Sequence, residues 1–284
     1  MSDTDAGGNS ESSQYNVFMG YGAGGGTWAD TGSSHDSNIG IGYLALSGAL
    51  NTDATIAIGH SALAALTTGV QNIAIGYQSL LAANTGGYNT AVGYQSGKAI
   101  TDGNYNVAIG RMALFNEDQG DSCTAVGTTA LYTQNGGDAT LANTGMGHNA
   151  GYYNTEGVNN TFVGYRAGQG SSETIYSGNT AVGKDALLSV TTGATNVAIG
   201  MTALDGLTTV GDCVAIGYGA LGGTLTAGSQ VAVGYDALAA LTSGAGNVAV
   251  GYQAGLALTT GERNTILGYA ALDAGTTETD DNVA

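Results

Sequence analysis

Hydrophobic and polar positions alternate strictly in short segments that recur along the whole chain. In Asn72-Ile73-Ala74-Ile75-Gly76-Tyr77, one set of alternate positions carries Asn, Ala and Gly, and the other carries Ile, Ile and Tyr. Such alternation predicts a β-strand with two chemically distinct faces. After each glycine comes an arm rich in Ala and Leu, typified by Ser61-Ala62-Leu63-Ala64-Ala65-Leu66. A Thr-Thr-Gly turn often follows, as at Thr67-Thr68-Gly69 and Thr191-Thr192-Gly193. By composition alone the arm reads as a helical turn. Stacking argues against that, because strands in adjacent coils sit about 4.8 Å apart while a helix with its side chains is about 10 Å wide. The arm is therefore read as a second short strand.

The unit repeats fifteen times. Its anchor glycines run from Gly20 and Gly42 through Gly59, Gly76 and onward to Gly268, and eleven of the fourteen steps between them are 17 residues. Four positions before the anchor, eleven copies carry Asn; the exceptions are Thr55, Cys123, Cys213 and Gln230. Ala stands two before it in ten copies, Tyr one after it in nine, and Leu or Gly always four after it. A fixed period of this kind is the mark of a solenoid. The expected fold is all-β, a parallel β-solenoid (β-roll) of about fifteen 17-residue coils spanning residues 15–272. At about 4.8 Å per coil the rod would be on the order of 70 Å long.

Val and Ile of the strand, with Leu of the second arm, are expected to fill the small interior. The Asn, Ala and Gly face would then be flat enough for close approach of another chain, and three chains around a common axis would form a homotrimer. The alternative is a single-chain solenoid in which Asn72, Asn89, Asn106, Asn196, Asn247 and their equivalents stack as an internal hydrogen-bonded ladder.

Composition narrows the function classes. The 284 residues include 50 Gly but no Pro, whereas collagen combines about one-third Gly with abundant Pro. Hydrophobic residues make up 43 % and charged ones 10 %, which does not fit a disordered chain. The formal charge is −17, so nucleic acid is not an expected partner, because binding it depends on Lys and Arg. The short apolar runs predict no membrane insertion. Neither a cofactor nor a metal site is expected. The sequence holds no Gly-x-Ser-x-Gly elbow, phosphate loop or His-Glu-x-x-His, and its Asp residues are scattered rather than repeated in every unit.

The segments Asn106-Val107-Ala108-Ile109-Gly110, Asn196-Val197-Ala198-Ile199-Gly200 and Asn247-Val248-Ala249-Val250-Gly251 carry a family resemblance. They resemble the Asn-Ser-Val-Ala-Ile-Gly-like head repeats of YadA-type trimeric autotransporter adhesins. The unit is still more similar to the Asn-Thr-Ala-Ile-Gly-Tyr repeats of bacteriophage fibre proteins. The resemblance covers most of the chain and implies a left-handed parallel β-roll, a trimer and a role in surface attachment. The unit departs from the adhesin pattern in its greater length and in the Tyr after the glycine. An adhesin of that type would also carry a secretion signal, a stalk and a membrane barrel, which are not recognisable in this sequence. The expectation is thus a non-enzymatic fibre or appendage of a phage virion, in contact with other virion structural proteins and with host surface glycan. A bacterial surface adhesin or self-assembling extracellular filament is the alternative, and a glycan-degrading enzyme a third class.

Insertions in solenoids collect as loops, where function tends to sit. The first lengthened unit holds Trp28, Asp30, His35 and Asp36; the second holds Tyr132, Asn135 and Asp138; the third holds Glu173 and Tyr176. An exposed aromatic beside carboxylates suits glycan binding, and drift in a tolerant turn explains the same residues. Trp28 is alternatively a cap on the open N-terminal end of the core. Cys123 and Cys213 share the Asn position five coils apart, too far for a disulfide, and read as packed substitutes for Asn. His60, His148, Arg111 and Lys184 take the Tyr position and read as ordinary face substitutions.

Residues 1–14 are polar and acidic and read as a tail or docking peptide. Residues 273–284 read as an incomplete further coil, because Asp281-Asn282-Val283-Ala284 has the form of another strand. That end suggests either a longer fibre or completion by the next subunit through strand addition.

Overall fold

The computed structural model describes residues 15–26, 36–49, 51–137, 140–172, 174–273 and 280–284. The chain is all-β, a solenoid with one three-residue strand per coil and a spacing of about 17 residues. It divides into two units, Met1–Ala142 and Asn143–Ala284.

The first unit holds β1 (Val17–Met19), β2 (Ile39–Ile41), β3 (Ile56–Ile58), β4 (Ile73–Ile75), β5 (Thr90–Val92), β6 (Val107–Ile109) and β7 (Thr124–Val126). Each pairs in parallel with the next, and the repeat positions lie in register, so that Ala74 faces Ala91 and Ala91 faces Ala108. The second unit holds β8 (Thr144–Met146), β9 (Thr161–Val163), β10 (Thr180–Val182), β11 (Val197–Ile199), β12 (Val214–Ile216), β13 (Val231–Val233), β14 (Val248–Val250) and β15 (Thr265–Leu267). These pair in the same manner, with Ala181, Ala198 and Ala215 in line. Beside β15, Thr265 forms a parallel bridge with Val283, and the Asn282 amide nitrogen donates to Asn264 Oδ1 at 3.1 Å.

The second arm is not a strand. It is a run of turns in which the second and fourth residues after the anchor glycine are left-handed, as in Ser61 (φ 54°) and Leu63 (φ 50°). Their amides point to opposite neighbours along the stack. Ser61 N–H donates back to Tyr43 O at 2.8 Å, and Leu63 N–H donates forward to Ser79 O at 3.1 Å. The arm thus bonds to the coils on both sides without extended backbone, which is why a strand reading failed here.

The two faces of the strand are also the reverse of the expectation. The central Ala of each strand and the Asn before it are buried, while the flanking Val and Ile are half-buried or exposed. A coil of 17 residues encloses too little width for branched side chains from both arms. Ala and Asn line the strand side of the interior, and Leu63, Leu80, Leu114 and Leu204 fill it from the turn side. Burial of such Leu side chains contributes about 1.5–3 kcal/mol each.

Asn is tolerated inside because it satisfies backbone groups that would otherwise be orphaned. Asn72 Oδ1 accepts the Asn89 amide at 3.0 Å, and Asn72 Nδ2 donates to Gly86 O at 2.8 Å. Asn89 repeats this with the Asn106 amide at 2.9 Å and Gly103 O at 2.7 Å. In the second unit, Asn196 accepts from the Cys213 amide at 3.0 Å, and Asn247 from the Asn264 amide at 3.0 Å. The internal ladder of the alternative reading is therefore present in both units.

Candidate interaction surface

The outward strand face is the most distinctive chemistry on the molecule. Its residues point away from the core because the pleat sends alternate side chains to opposite sides. Ile75 and Ile109 in the first unit, and Ile199, Ile216 and Val248 in the second, are each about 37–38 % exposed.

Beside this stripe, at the position after the anchor glycine, aromatic rings stack in runs of successive coils. In the first unit Tyr21, Tyr43, His60, Tyr77 and Tyr94 follow one another with ring centroids 4.9–5.5 Å apart. In the second unit Tyr218, Tyr235, Tyr252 and Tyr269 are stacked at 5.0–5.2 Å, within 14° of parallel. The coil spacing sets the ring spacing, and offset stacking at this distance is favourable. His60 takes a ring position in the column, and His148 stacks on Tyr165 at 5.4 Å. The other two substitutions expected on this face, Arg111 and Lys184, place cations in the same repeat position.

Stacking decides what the column can bind. Each internal ring has both faces covered by its neighbours, so what remains exposed is ring edge and phenol hydroxyl. Sugar stacking needs a free ring face, whereas a flat row of edges beside Ile and Val suits another apolar surface.

One charged cluster lies nearby in the second unit. Arg166 Nε donates to Asp185 Oδ1 at 2.7 Å, and Lys184 Nζ lies 3.5 Å from Asp185 Oδ2. Burial pushes the Asp185 carboxyl up, but the hydrogen bond and charge of Arg166, with Lys184, hold it below its ordinary value. Among the described residues no group of three or more His, Cys, Asp or Glu is placed to hold a metal ion.

The loop candidates do not converge into one site. Trp28, Asp30, His35, Asp138 and Glu173 lie outside the described residues, as does the tail 1–14. Tyr132 is half-buried and stacks on Phe115 at 5.2 Å, with the rings 6° from parallel. Tyr176 is a core side chain rather than an exposed aromatic. It is fully buried, and its hydroxyl donates to Gly168 O at 2.7 Å. Burial pushes its phenol far above the usual tyrosine range. Its ring packs beside Gly170 and 5.8 Å from the Phe162 ring, in a lengthened coil whose arm carries no leucine.

Both cysteines are buried, and neither is in a disulfide. Each amide donates to the Asn of the preceding coil, Cys123 to Asn106 Oδ1 at 2.9 Å and Cys213 to Asn196 Oδ1 at 3.0 Å. Burial pushes the Cys213 thiol up, with backbone amides of Gln230 and Ser229 opposing. They occupy the ladder as expected.

Glu117 is the residue that sequence reading missed. It occupies the inward position held by Leu66 and Ile100 in other coils, and it is fully buried. The signal was a carboxylate at the repeat spacing where an apolar residue is usual, such as Leu66, Ile100, Val190 or Leu207.

No protein-family model matches the chain, and no curated protein matches it in sequence.

Proposed function

We propose that this protein is a non-enzymatic structural fibre or appendage of a phage virion, a rigid spacer or adhesin in host-surface attachment. Copies of the chain associate as a homotrimer through the outward Val, Ile and Tyr face. The observation that carries this reading is the outward face of Ile, Val and stacked Tyr that recurs in both units, interrupted by Thr in several strands and by Arg111, Thr128, Lys184 and Met201 in the ring column. A monomer leaving such a stripe in water exposes a patch of the kind that marks interaction sites. The net charge of −17 keeps such an assembly soluble. The trimer's partners are other virion proteins, and threefold avidity strengthens weak contacts with a host glycan.

The reading rests on resemblance for the virion and on the stripe for self-association, and the two are tested separately. Light scattering of the purified chain across concentrations is expected to give a fixed mass of three chains. A pure monomer at every concentration would overturn the trimer. A mass that grows with concentration would favour the alternative, a self-assembling filament. Labelling of intact particles with antibody to the chain tests the virion assignment.

A further inference from the structure

We propose that Glu117 is a proton-operated latch in the first unit, a buried carboxyl that tightens its coil against Gln134 and Leu141 when it takes up a proton.

The argument starts from the column of inward side chains that closes each coil. Leu66, Ala83 and Ile100 fill this position in three successive coils, and the next two coils carry Glu117 and Gln134; all five are fully buried. An apolar column thus turns polar over two coils. Glu117 Oε1 is well served. It accepts the amides of Gly120 at 2.7 Å and Asp118 at 3.1 Å. Glu117 Oε2 is buried and has no hydrogen-bond partner, and the same is true of Asp118 Oδ1 beside it in sequence. Leu141 closes the site, since its side chain occupies the space that a Cβ on Gly120 or Gly136 would need.

An ionised carboxylate here keeps a charge in an apolar enclosure with one oxygen bare, which is costly. Addition of one proton to Oε2 removes the charge and supplies an O–H donor, while Oε1 keeps both amide bonds. The proton comes from solvent, and no other bond changes. Burial raises the Glu117 carboxyl above its ordinary value, the Asp118 charge adds to this, and the amides of Gly120, Asp118 and Gly136 oppose it.

Among the described residues, the charged groups Lys98, Asp102 and Asp121 of this coil and the one before it are already engaged. Lys98 lies over the Phe115 ring, Asp102 accepts from Thr85 Oγ1, and Asp121 accepts the Asn104 amide. Among the described residues Asp118 is the charge that bears on Glu117, and like charge also favours the protonated form. The sign follows from linkage. The folded chain binds this proton more tightly than the unfolded chain does, so the stabilisation is complete at low pH and is lost as pH rises through the raised value.

The test uses the full chain. Carboxyl carbons of ¹³C-labelled glutamate are followed by NMR from pH 3 to 8, with Glu117→Gln to assign the resonance. Glu117 is expected to titrate above the other glutamates. In parallel, amide exchange at Gly120, corrected for intrinsic rate, is expected to slow several-fold as pH falls from 7.5 to 4. Glu117→Gln and Glu117→Leu are expected to remove that pH dependence. Glu117 titrating with the other glutamates would overturn the proposal, as would protection that follows added calcium at constant pH. Should either variant fail to fold, the wild-type titration decides alone.

Discussion

Phe162 occupies the space beside Gly168 that the repeat elsewhere gives to a leucine. The usual coil pairs a central strand Ala with a Leu four residues after the anchor, as in Ala198 and Leu204. Here the large side chain comes from the strand, and a Cβ on Gly168 would collide with the Phe162 ring. Phe18 and Gly24 make the same exchange in the first unit. In these two coils the large residue at this level is supplied by the strand rather than by the arm.

The exchange predicts a compensating pair. Phe162→Ala leaves a cavity and is expected to cost about 3–5 kcal/mol. Gly168→Leu alone overpacks the same space and is expected to cost about 1–3 kcal/mol. The double variant restores the usual Ala and Leu pairing and is expected to recover most of both losses. A thermodynamic cycle from denaturant unfolding measures the coupling, and simple additivity would count against the shared-space account.

The anchor glycines predict a contrast between coils. Gly93 has φ +140°, and a Cβ there would lie 2.5 Å from Gly110 O of the next coil. Gly268 has nearly the same backbone at φ +136°, but among the described residues its Cβ would meet only the Ala271 Cβ, at 3.8 Å. Gly268→Ala is expected to cost only the backbone strain, about 1–3 kcal/mol. Gly93→Ala adds a backbone collision that cannot relax without opening the stack, so it should be clearly the worse of the two in a thermal melt.

The ladder predicts a graded series at Asn106. Its truncation to Ala leaves the Cys123 amide and the Gly120 carbonyl without their partners, 2.9 and 2.8 Å away. Two buried orphans at about 1–3 kcal/mol each make Asn106→Ala severe. Asn106→Cys is expected to be milder, since Cys213 is buried at the equivalent place and its thiol donates to Gly211 O at 3.6 Å. Equal losses for Ala and Cys would show that the sulfur contributes no bond.

Much of this architecture was legible in the sequence because period is a one-dimensional signal. The 17-residue step and the parallel register follow from residues recurring at fixed spacing, and the Asn ladder stood only as the alternative to an Asn face turned toward another chain. The inside and the outside were not legible, because alternation separates two faces without labelling them. Ile73 and Ile75 are the more hydrophobic set, yet Asn72 and Ala74 are the buried one. Coil width decided that, and width is a property of the closed ring. The second arm was misread for a related reason: Leu63 and Leu80 adopt left-handed backbone that no propensity assigns to leucine. Glu117 and Tyr176 stood as irregularities in the sequence, and only their burial shows what they do.

Tyr176 gives the alkaline limit of the second unit. Its buried phenol is held protonated far above the unfolded value of about 10. Stability from this group is present below that value and is lost as pH rises beyond it, because the unfolded chain then releases the proton first. Tyr176→Phe removes the bond to Gly168 O and is expected to cost about 1 kcal/mol at neutral pH. It should also flatten the alkaline loss. Absorbance of tyrosinate checks this, since Tyr176 is expected to stay silent until the unit unfolds.

Ile199 and Ala198 test the orientation of the strand and the assembly together. Ala198 is fully buried, while its neighbour Ile199 is on the outward face and 38 % exposed. Ala198→Leu forces extra volume into a filled interior and is expected to disrupt the coil at any concentration. Ile199→Asp places a charge where water already reaches in the single chain, so the coil should keep its circular dichroism and its melting of the isolated chain. In an assembly built through the Val, Ile and Tyr face, that same aspartate becomes a buried, unpaired charge, and association should weaken by several kcal/mol. The expected result is a folded monomer from Ile199→Asp by light scattering and an unfolded or aggregated chain from Ala198→Leu. An Ile199→Asp chain that still gives the wild-type mass would place the contacts between copies elsewhere.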